Sequence, residues 1–371
     1  MIRRTRVEID LAAIVANARA VREVAATALY AVVKADGYGH GAVAVAKSLA
    51  DARAADGFCT SLVEEGVALR DAGIAAPILV MGPSQVGGED EMVAARLTPV
   101  ISSHEQLAAL AHVSRARGGM QIEAHLKVDT GMGRLGVPSE HAAELAVEAG
   151  RNGIAIVGLM THFACADSDD PADPDSMTRR QLARFAEVDR AVVTAGAAVR
   201  VRHAANSSAA LLFPEARFDL VRTGIAIYGN GHWASDRRGH MAMRFVTAIA
   251  QLRQIPKGAS VGYGATWHAP RDSRVAILPC GYADGLPRSA SGHAEVAIHG
   301  KRVPLVGRVS MDIAVADVTD VPTAQVGDAV VLLGKASGGI SITAAEYAAW
   351  CGLSEYEVTC GMSKRVPRLY S

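Results

Sequence analysis

Lys34 is the first residue in this chain whose setting invites chemistry. It closes an apolar, β-branched run, LYAVV, and a Gly-punctuated turn, ADGYGHG, follows at once. A desolvated ammonium is costly, so a lysine at the mouth of a buried strand either is needed there for its amine or snorkels into solvent. Burial lowers a lysine pKa and frees the amine to act as nucleophile or base. Other polar residues also follow apolar runs: Lys127, Asp129 and Arg134 in KVDTGMGR, His162 in GLMTHFA, His203, Asn206 and Ser207 in HAANSS, Arg222 and Gly224 in VRTG. Singly, each has a plain structural use. His162 can be a satisfied core imidazole, Asp129 can order its own loop, and Arg222 can pair with an internal carboxylate. Together they describe a cationic mouth suited to an anionic substrate or a phosphate. Thr223-Gly224 at a turn and Ser207 at a helix start add backbone N–H groups of the kind that hold phosphate. On these residues alone, a sugar-phosphate aldolase or isomerase without an organic cofactor also fits.

The elements that must carry these residues alternate at short intervals. Candidate strands are Leu29 to Val33, Gly57 to Thr60, Pro77 to Met81, Thr98 to Ile101, Gln121 to Val128, Ile154 to Met160, Ala198 to Arg202 and Phe218 to Val221. All but the last are followed by a helical pattern, including His40 to Ala50, Leu62 to Asp71 and a long one from Ser176 to Thr194. Eight β-α units of this length predict an α/β fold with an N-terminal (β/α)8 TIM-type barrel. A dinucleotide fingerprint is absent after the first strand, which weighs against an open Rossmann sheet. Near Gly239 the pattern becomes short, alternating and turn-rich, as in RVAILPCG, EVAIHG and DAVVLLG. This divides the chain into a barrel over residues 1–240 and a mostly β domain over 241–371. The opening TRVEID is expected to add an edge strand to that second domain.

Composition narrows the function classes. The 371 residues are 50% hydrophobic, and 38 basic residues balance 38 acidic ones, so no nucleic-acid surface and no anionic membrane partner is expected. Five scattered cysteines without C-x-x-C spacing argue against a disulfide scaffold or a zinc site and fit a reducing compartment. No apolar run reaches the 18 residues of a membrane span, and Glu8 and Asp10 interrupt the basic start before a leader could form. A cytoplasmic protein without a bound metal is expected.

With these residues in view, AVVKADGYGHG closely resembles the pyridoxal-phosphate-binding stretch of bacterial alanine racemases, within the fold-type III PLP enzymes. The resemblance runs to the terminal KRVPRLY. It implies that Lys34 forms the internal Schiff base with pyridoxal 5'-phosphate and then serves as one of two proton-transfer bases. SVGYGATW places the second base at Tyr263, supplied from the other subunit, so a homodimer with composite active sites is implied. Racemisation needs groups on opposite faces of a planar carbanion, which one residue cannot easily reach. A phenol with a pKa near about 10 needs cationic neighbours to act as a base near neutrality.

The resemblance also implies that Arg222 faces the pyridine nitrogen, where a permanent cation opposes ring protonation, with His162 beside the ring and orienting Arg222. Arg134 matches the residue that binds the substrate carboxylate. Lys127 matches a lysine often carbamylated by carbon dioxide, a change of charge that would let it hold Arg134. The implied phosphate set is Tyr38, Ser207, Gly224, Ile225 and Tyr356, steadied by Asn206. Met311 and Asp312 match a substrate-proximal pair from the partner, and Tyr282 in GYADG narrows the entrance, with Asp284 either a turn residue or one just behind the site. The family's usual role is to supply D-alanine for peptidoglycan. Ser310 stands where many relatives carry cysteine, and Gly262 where some carry serine, so a broader alanine/serine racemase is the alternative. A fold-type III decarboxylase would need a different partner-domain acid, and a single-barrel PLP-binding homeostasis protein would lack the β domain.

Overall fold

A computed structural model describes residues 3–83, 87–232 and 239–371. The chain opens with β1 (Arg6–Ile9), and then eight parallel strands follow with helices between them. They are β2 (Ala28–Val32), β3 (Gly57–Thr60), β4 (Ile78–Val80), β5 (Thr98–Ile101), β6 (Ile122–Asp129), which carries the two-residue β7 (Val137–Pro138), β8 (Ile154–Met160), β9 (Val201–His203) and β10 (Leu220–Thr223). Their order is β10-β2-β3-β4-β5-β6-β8-β9. The seam between β9 and β10 is bridged by the Arg222 amide donating to the Ala205 carbonyl at 2.9 Å and the Asp219 amide to the Arg202 carbonyl at 3.1 Å. The expected (β/α)8 barrel is therefore present. Its strands are buried on both faces, as β3, β4 and β10 are throughout, which is why they read as near-continuous apolar runs.

Most boundaries move by one or two residues, and two of these shifts have local causes. Phe218 has φ 47°, a left-handed conformation that no strand tolerates, so β10 starts at Leu220 instead of Phe218. Positive φ at Gly39 and Gly41 delays the helix expected from His40, which runs Ala42–Asp51. The long helix matches its expectation: the Ser176 hydroxyl accepts from the Arg179 amide, and the helix covers Met177–Thr194.

Two compact units are present. One comprises Val15–Gly37 and Ala42–Ile227 and contains the barrel. The other takes in the chain up to Ile14, Tyr38–Gly41 and Tyr228–Ser371. It is mostly β: β11 (Met243–Ala248), β12 (Gln251–Ile255), β13 (Ser260–Val261), β14 (Trp267–His268), β15 (Ser273–Leu278), β16 (Glu295–Ile298), β17 (Lys301–Pro304), β18 (Ala314–Asp317), β19 (Ala329–Lys335), β20 (Ser341–Ile342) and β21 (Arg368–Tyr370). Its main sheet runs β17-β16-β19-β11-β1-β21. The opening strand joins this sheet, but not at its edge: β1 pairs antiparallel with β11 and parallel with β21, and β21 is the edge.

Candidate active site

The barrel unit brings its polar residues to the carboxyl ends of its strands. Register places Lys127 of β6 opposite Met160, and Met160 opposite His203, while Arg222 of β10 pairs with Tyr30 of β2. Arg222 is 2% exposed, and both of its terminal nitrogens are held. Its Nη1 donates to His203 Nδ1 at 2.6 Å, and its Nη2 donates to the carbonyls of Thr161 at 2.8 Å and Ala204 at 3.0 Å. His162 Nδ1 lies farther off, at 3.4 Å. The imidazole that orients Arg222 most closely is therefore His203.

A guanidinium only donates, which fixes a chain of protons. His203 accepts at Nδ1, so its proton is on Nε2, and that nitrogen donates to His125 Nδ1 at 2.8 Å. His125 then carries its proton on Nε2, and both rings are neutral. Gly158, opposite His125, makes the contact possible: a Cβ there would sit 2.4 Å from the His125 ring. Burial and the Arg222 charge hold His125 down to about 4 and push His203 and His162 well below the usual imidazole range. These folded-state values lie below the unfolded 6.5, so the unfolded chain takes up protons first as pH falls. Stability should therefore decline as pH drops from about 6.5 through about 4. Thermal melts across that range test this, and His125→Asn, which keeps an acceptor near Nδ1, should shallow the decline.

Around His162 the unit gathers Lys34, Lys127, Arg134 and Arg222, whose charges all act on that ring. Lys127 is 5% exposed; burial first, then Arg222, Arg134 and Lys34, lower it to about 8 against the pull of Asp129. Asp129 itself folds the Gly-rich loop carrying Arg134, since its carboxylate accepts from the amides of Gly131, Met132 and Gly133 at 2.9 Å each. Asn206 caps the helix Ser207–Leu212 by accepting from the Ala209 amide. Ser207 Oγ accepts from the amides of Gly224 at 3.0 Å and Ala226 at 3.3 Å, which leaves its own hydroxyl proton to give away. Ile225 is buried between them in sequence.

Lys34 follows β2 and is half-buried. The turn after it is left-handed: Ala35 (φ 52°), Asp36 (φ 54°), Gly37 (φ 63°) and Tyr38 (φ 53°) all have positive φ. For a non-glycine residue this costs about 1–2 kcal/mol each, and such strain persists only where neighbours hold it. The Gly37 amide bonds the Val33 carbonyl at 2.8 Å, and the Asp36 carboxylate takes the Ala42 amide at 2.9 Å.

The second unit holds the remaining candidates. Tyr38 is buried, with its ring 5.2 Å from that of Tyr228 and 5.7 Å from that of Tyr356. Tyr263 sits at the tip of the β13–β14 hairpin between Gly262 (φ 75°) and Gly264 (φ 74°) and is 73% exposed. Tyr282, Met311 and Asp312 are drawn together, because the Tyr282 amide donates to Ser310 and the Ala283 amide to Met311, at 3.0 Å each. Gly281 permits that approach, since a Cβ there would lie 2.2 Å from the Ser310 carbonyl oxygen. Asp284, expected in the turn or just behind the site, closes the turn by accepting the Gly281 amide at 3.0 Å and is fully buried and paired with both Arg3 and Arg365. Arg365 reaches on to Asp312 at 2.7 Å, so one guanidinium ties the turn to the loop that carries Met311 and Asp312. Sequence reasoning missed His125, Arg3 and Arg365; their value lies in partners remote along the chain.

Comparison with known proteins covers both units. Residues 9–231 match the family model "Alanine racemase, N-terminal domain" and residues 242–370 "Alanine racemase, C-terminal domain". The chain is 44% identical to the alanine racemase of Sorangium cellulosum, over 99% of both chains, and 41% identical to that of Symbiobacterium thermophilum, over 99% of this chain and 97% of the relative. Among solved structures, alanine racemase from Streptomyces lavendulae superposes with TM-score 0.92 at 37% identity, covering 100% of this chain and 98% of that one. Biosynthetic alanine racemase from Pseudomonas aeruginosa gives TM-score 0.88 at 35% identity, over 100% of both.

Proposed function

The chain belongs to the alanine racemase family and interconverts L- and D-alanine, and on that footing we propose which of its residues do the work. Use of pyridoxal phosphate accords with family membership, and the barrel unit's own chemistry fits such a group. Four cations act on one imidazole, the Ser207 hydroxyl has a proton to give, and Thr223 Oγ1 is buried with no hydrogen-bond partner among the described residues. The cofactor, when bound, supplies an electron sink that acidifies the α-carbon of an amino acid.

Lys34 holds the cofactor and moves the α-proton at Nζ on one face, serving D-alanine. The partner subunit's Tyr263 does so at Oη on the other, serving L-alanine. Arg222, fixed by His203 and with His162 beside it, presents a cation to the pyridine nitrogen. Arg134 binds the substrate carboxylate, with the partner subunit's Met311 and Asp312 close to the substrate and Tyr282 narrowing the entrance. Tyr38, Ser207, Gly224, Ile225 and Tyr356 form the phosphate set, with Asn206 behind them. Lys127, lowered to about 8, has a substantial neutral fraction that can add carbon dioxide, releasing a proton to leave an N-linked carbamate that binds Arg134. Mass analysis in bicarbonate should find Lys127 heavier by one carbon dioxide; a bare amine there refutes the modification.

A homodimer with composite sites is supported by the exposure of Tyr263 at 73%, Met311 at 53% and Ile313 at 45% in one chain, an apolar set that an isolated subunit leaves in water. Among the described residues, no helix is long and apolar enough to cross a membrane. A supply of D-alanine for peptidoglycan is the role this activity would serve. The observation that carries the residue assignment is the buried Arg222 at the end of its strand, held by His203 Nδ1 at 2.6 Å and by the Thr161 and Ala204 carbonyls at 2.8 and 3.0 Å. Its test is racemisation of alanine, serine and larger amino acids by the pure protein, with and without added pyridoxal phosphate. Cofactor-dependent turnover with kcat/KM highest for alanine is expected. Equal turnover of serine would mark the broader racemase, and turnover indifferent to the cofactor would refute the mechanism.

A further inference from the structure

The left-handed turn that follows Lys34 needs an anchor, and one carboxylate supplies it. Glu65 Oε1 accepts from the Ala35 amide at 2.6 Å, while its Oε2 accepts from the amides of Ser61 at 2.8 Å and Leu62 at 3.1 Å. Ser61 and Leu62 follow the end of β3, the strand beside β2, and Leu62 is the residue just before the helix Val63–Asp71. One side chain thus pins the residue after Lys34 to the end of the neighbouring strand. Without that grip, Ala35 would leave a backbone conformation that alanine disfavours, and the lysine beside it would lose its fixed height above the barrel.

We propose that Glu65 is a positioning residue for Lys34: it holds the strained turn so that the amine is presented for covalent capture of the cofactor. This rests on the reading of Lys34 as the cofactor lysine. A carboxylate is required because both oxygens receive N–H groups. A glutamine would turn a donor toward one of them.

The test uses apoprotein mixed with limiting pyridoxal phosphate, fixed with borohydride, with the tag on residue 34 measured by peptide mass spectrometry beside the melting temperature. Glu65→Ala and Glu65→Gln should slow tagging by about tenfold, the population shift that a lost left-handed preference implies. Ala35→Gly in the Glu65→Ala background should recover most of it, because glycine adopts positive φ without penalty. Glu64→Ala, on the exposed side of the same helix, should tag like the wild type. If Glu65 only caps its helix, melting falls, tagging stays within about twofold, and Ala35→Gly restores nothing; that result overturns the proposal. Should Glu65→Ala fail to fold, the isosteric Glu65→Gln carries the comparison. Lys34→Ala separates the two readings. A tag persisting on another lysine refutes the role of Lys34 itself, while a tag confined to Lys34 with unaffected Glu65 variants refutes Glu65 alone.

Discussion

Tyr263→Phe is expected to lower kcat for alanine racemisation by about 10²- to 10⁴-fold, the usual worth of a positioned acid or base, while cofactor retention stays at the wild-type level. The side chain is 73% exposed in the single chain, so removing its hydroxyl should change the stability of the subunit fold by no more than about 0.5 kcal/mol. Lost turnover would then report lost chemistry and not unfolding. Both directions must fall together: the two enantiomers are equal in free energy, so the ratio of their kcat/KM values is fixed at unity whatever the variant. Measuring D-alanine formed from L-alanine, and the reverse, checks the prediction, and full retained turnover defeats the two-base assignment.

Lys34→Ala should remove both covalent cofactor capture and racemisation, the latter by about 10⁴-fold or more, because one amine is asked to serve as anchor and as base. The variant also carries an electrostatic signature. The Lys34 charge is the smallest of those that push Lys127 and His162 down, so its removal should raise both slightly, with the Lys127 amine, kept free in carbon-dioxide-free buffer, titrating a little above about 8 because burial, Arg222 and Arg134 still hold it down. Carbon-13 labelled lysine followed by NMR across that pH range reads the shift. An unmoved Lys127 would place Lys34 outside the cationic group.

Much of this was legible in the order of residues because barrel strands buried on both faces leave long β-branched runs, and polar residues that interrupt their ends stand out. Ile154–Met160 and Met177–Thr194 could be read from periodicity and a serine cap alone. What escaped reading depends on partners remote along the chain. Nothing near His203 announces that Arg222 and His125 lie on either side of its ring, 19 and 78 residues away. Alanine gives no sign of positive φ and a single aspartate only a weak one, so the left-handed turn at Ala35 and Asp36 is hard to see without the Glu65 carboxylate that holds it. GYADG reads as a turn at the entrance, and only Arg3 and Arg365, remote along the chain, reveal that its Asp284 is buried and neutralised. The opening strand looked like an edge because its second neighbour, Arg368–Tyr370, lies more than three hundred residues later.

The measurement that tests the central claim most directly is complementation between two dead variants. Lys34→Ala and Tyr263→Phe subunits, separately inactive, are mixed, dissociated and reassembled. If each site takes its lysine from one chain and its tyrosine from the other, half of the dimers are mixed and each has one intact site. About a quarter of wild-type activity should return. Activity that stays at the level of the separate variants would contradict a site shared between two copies of this chain.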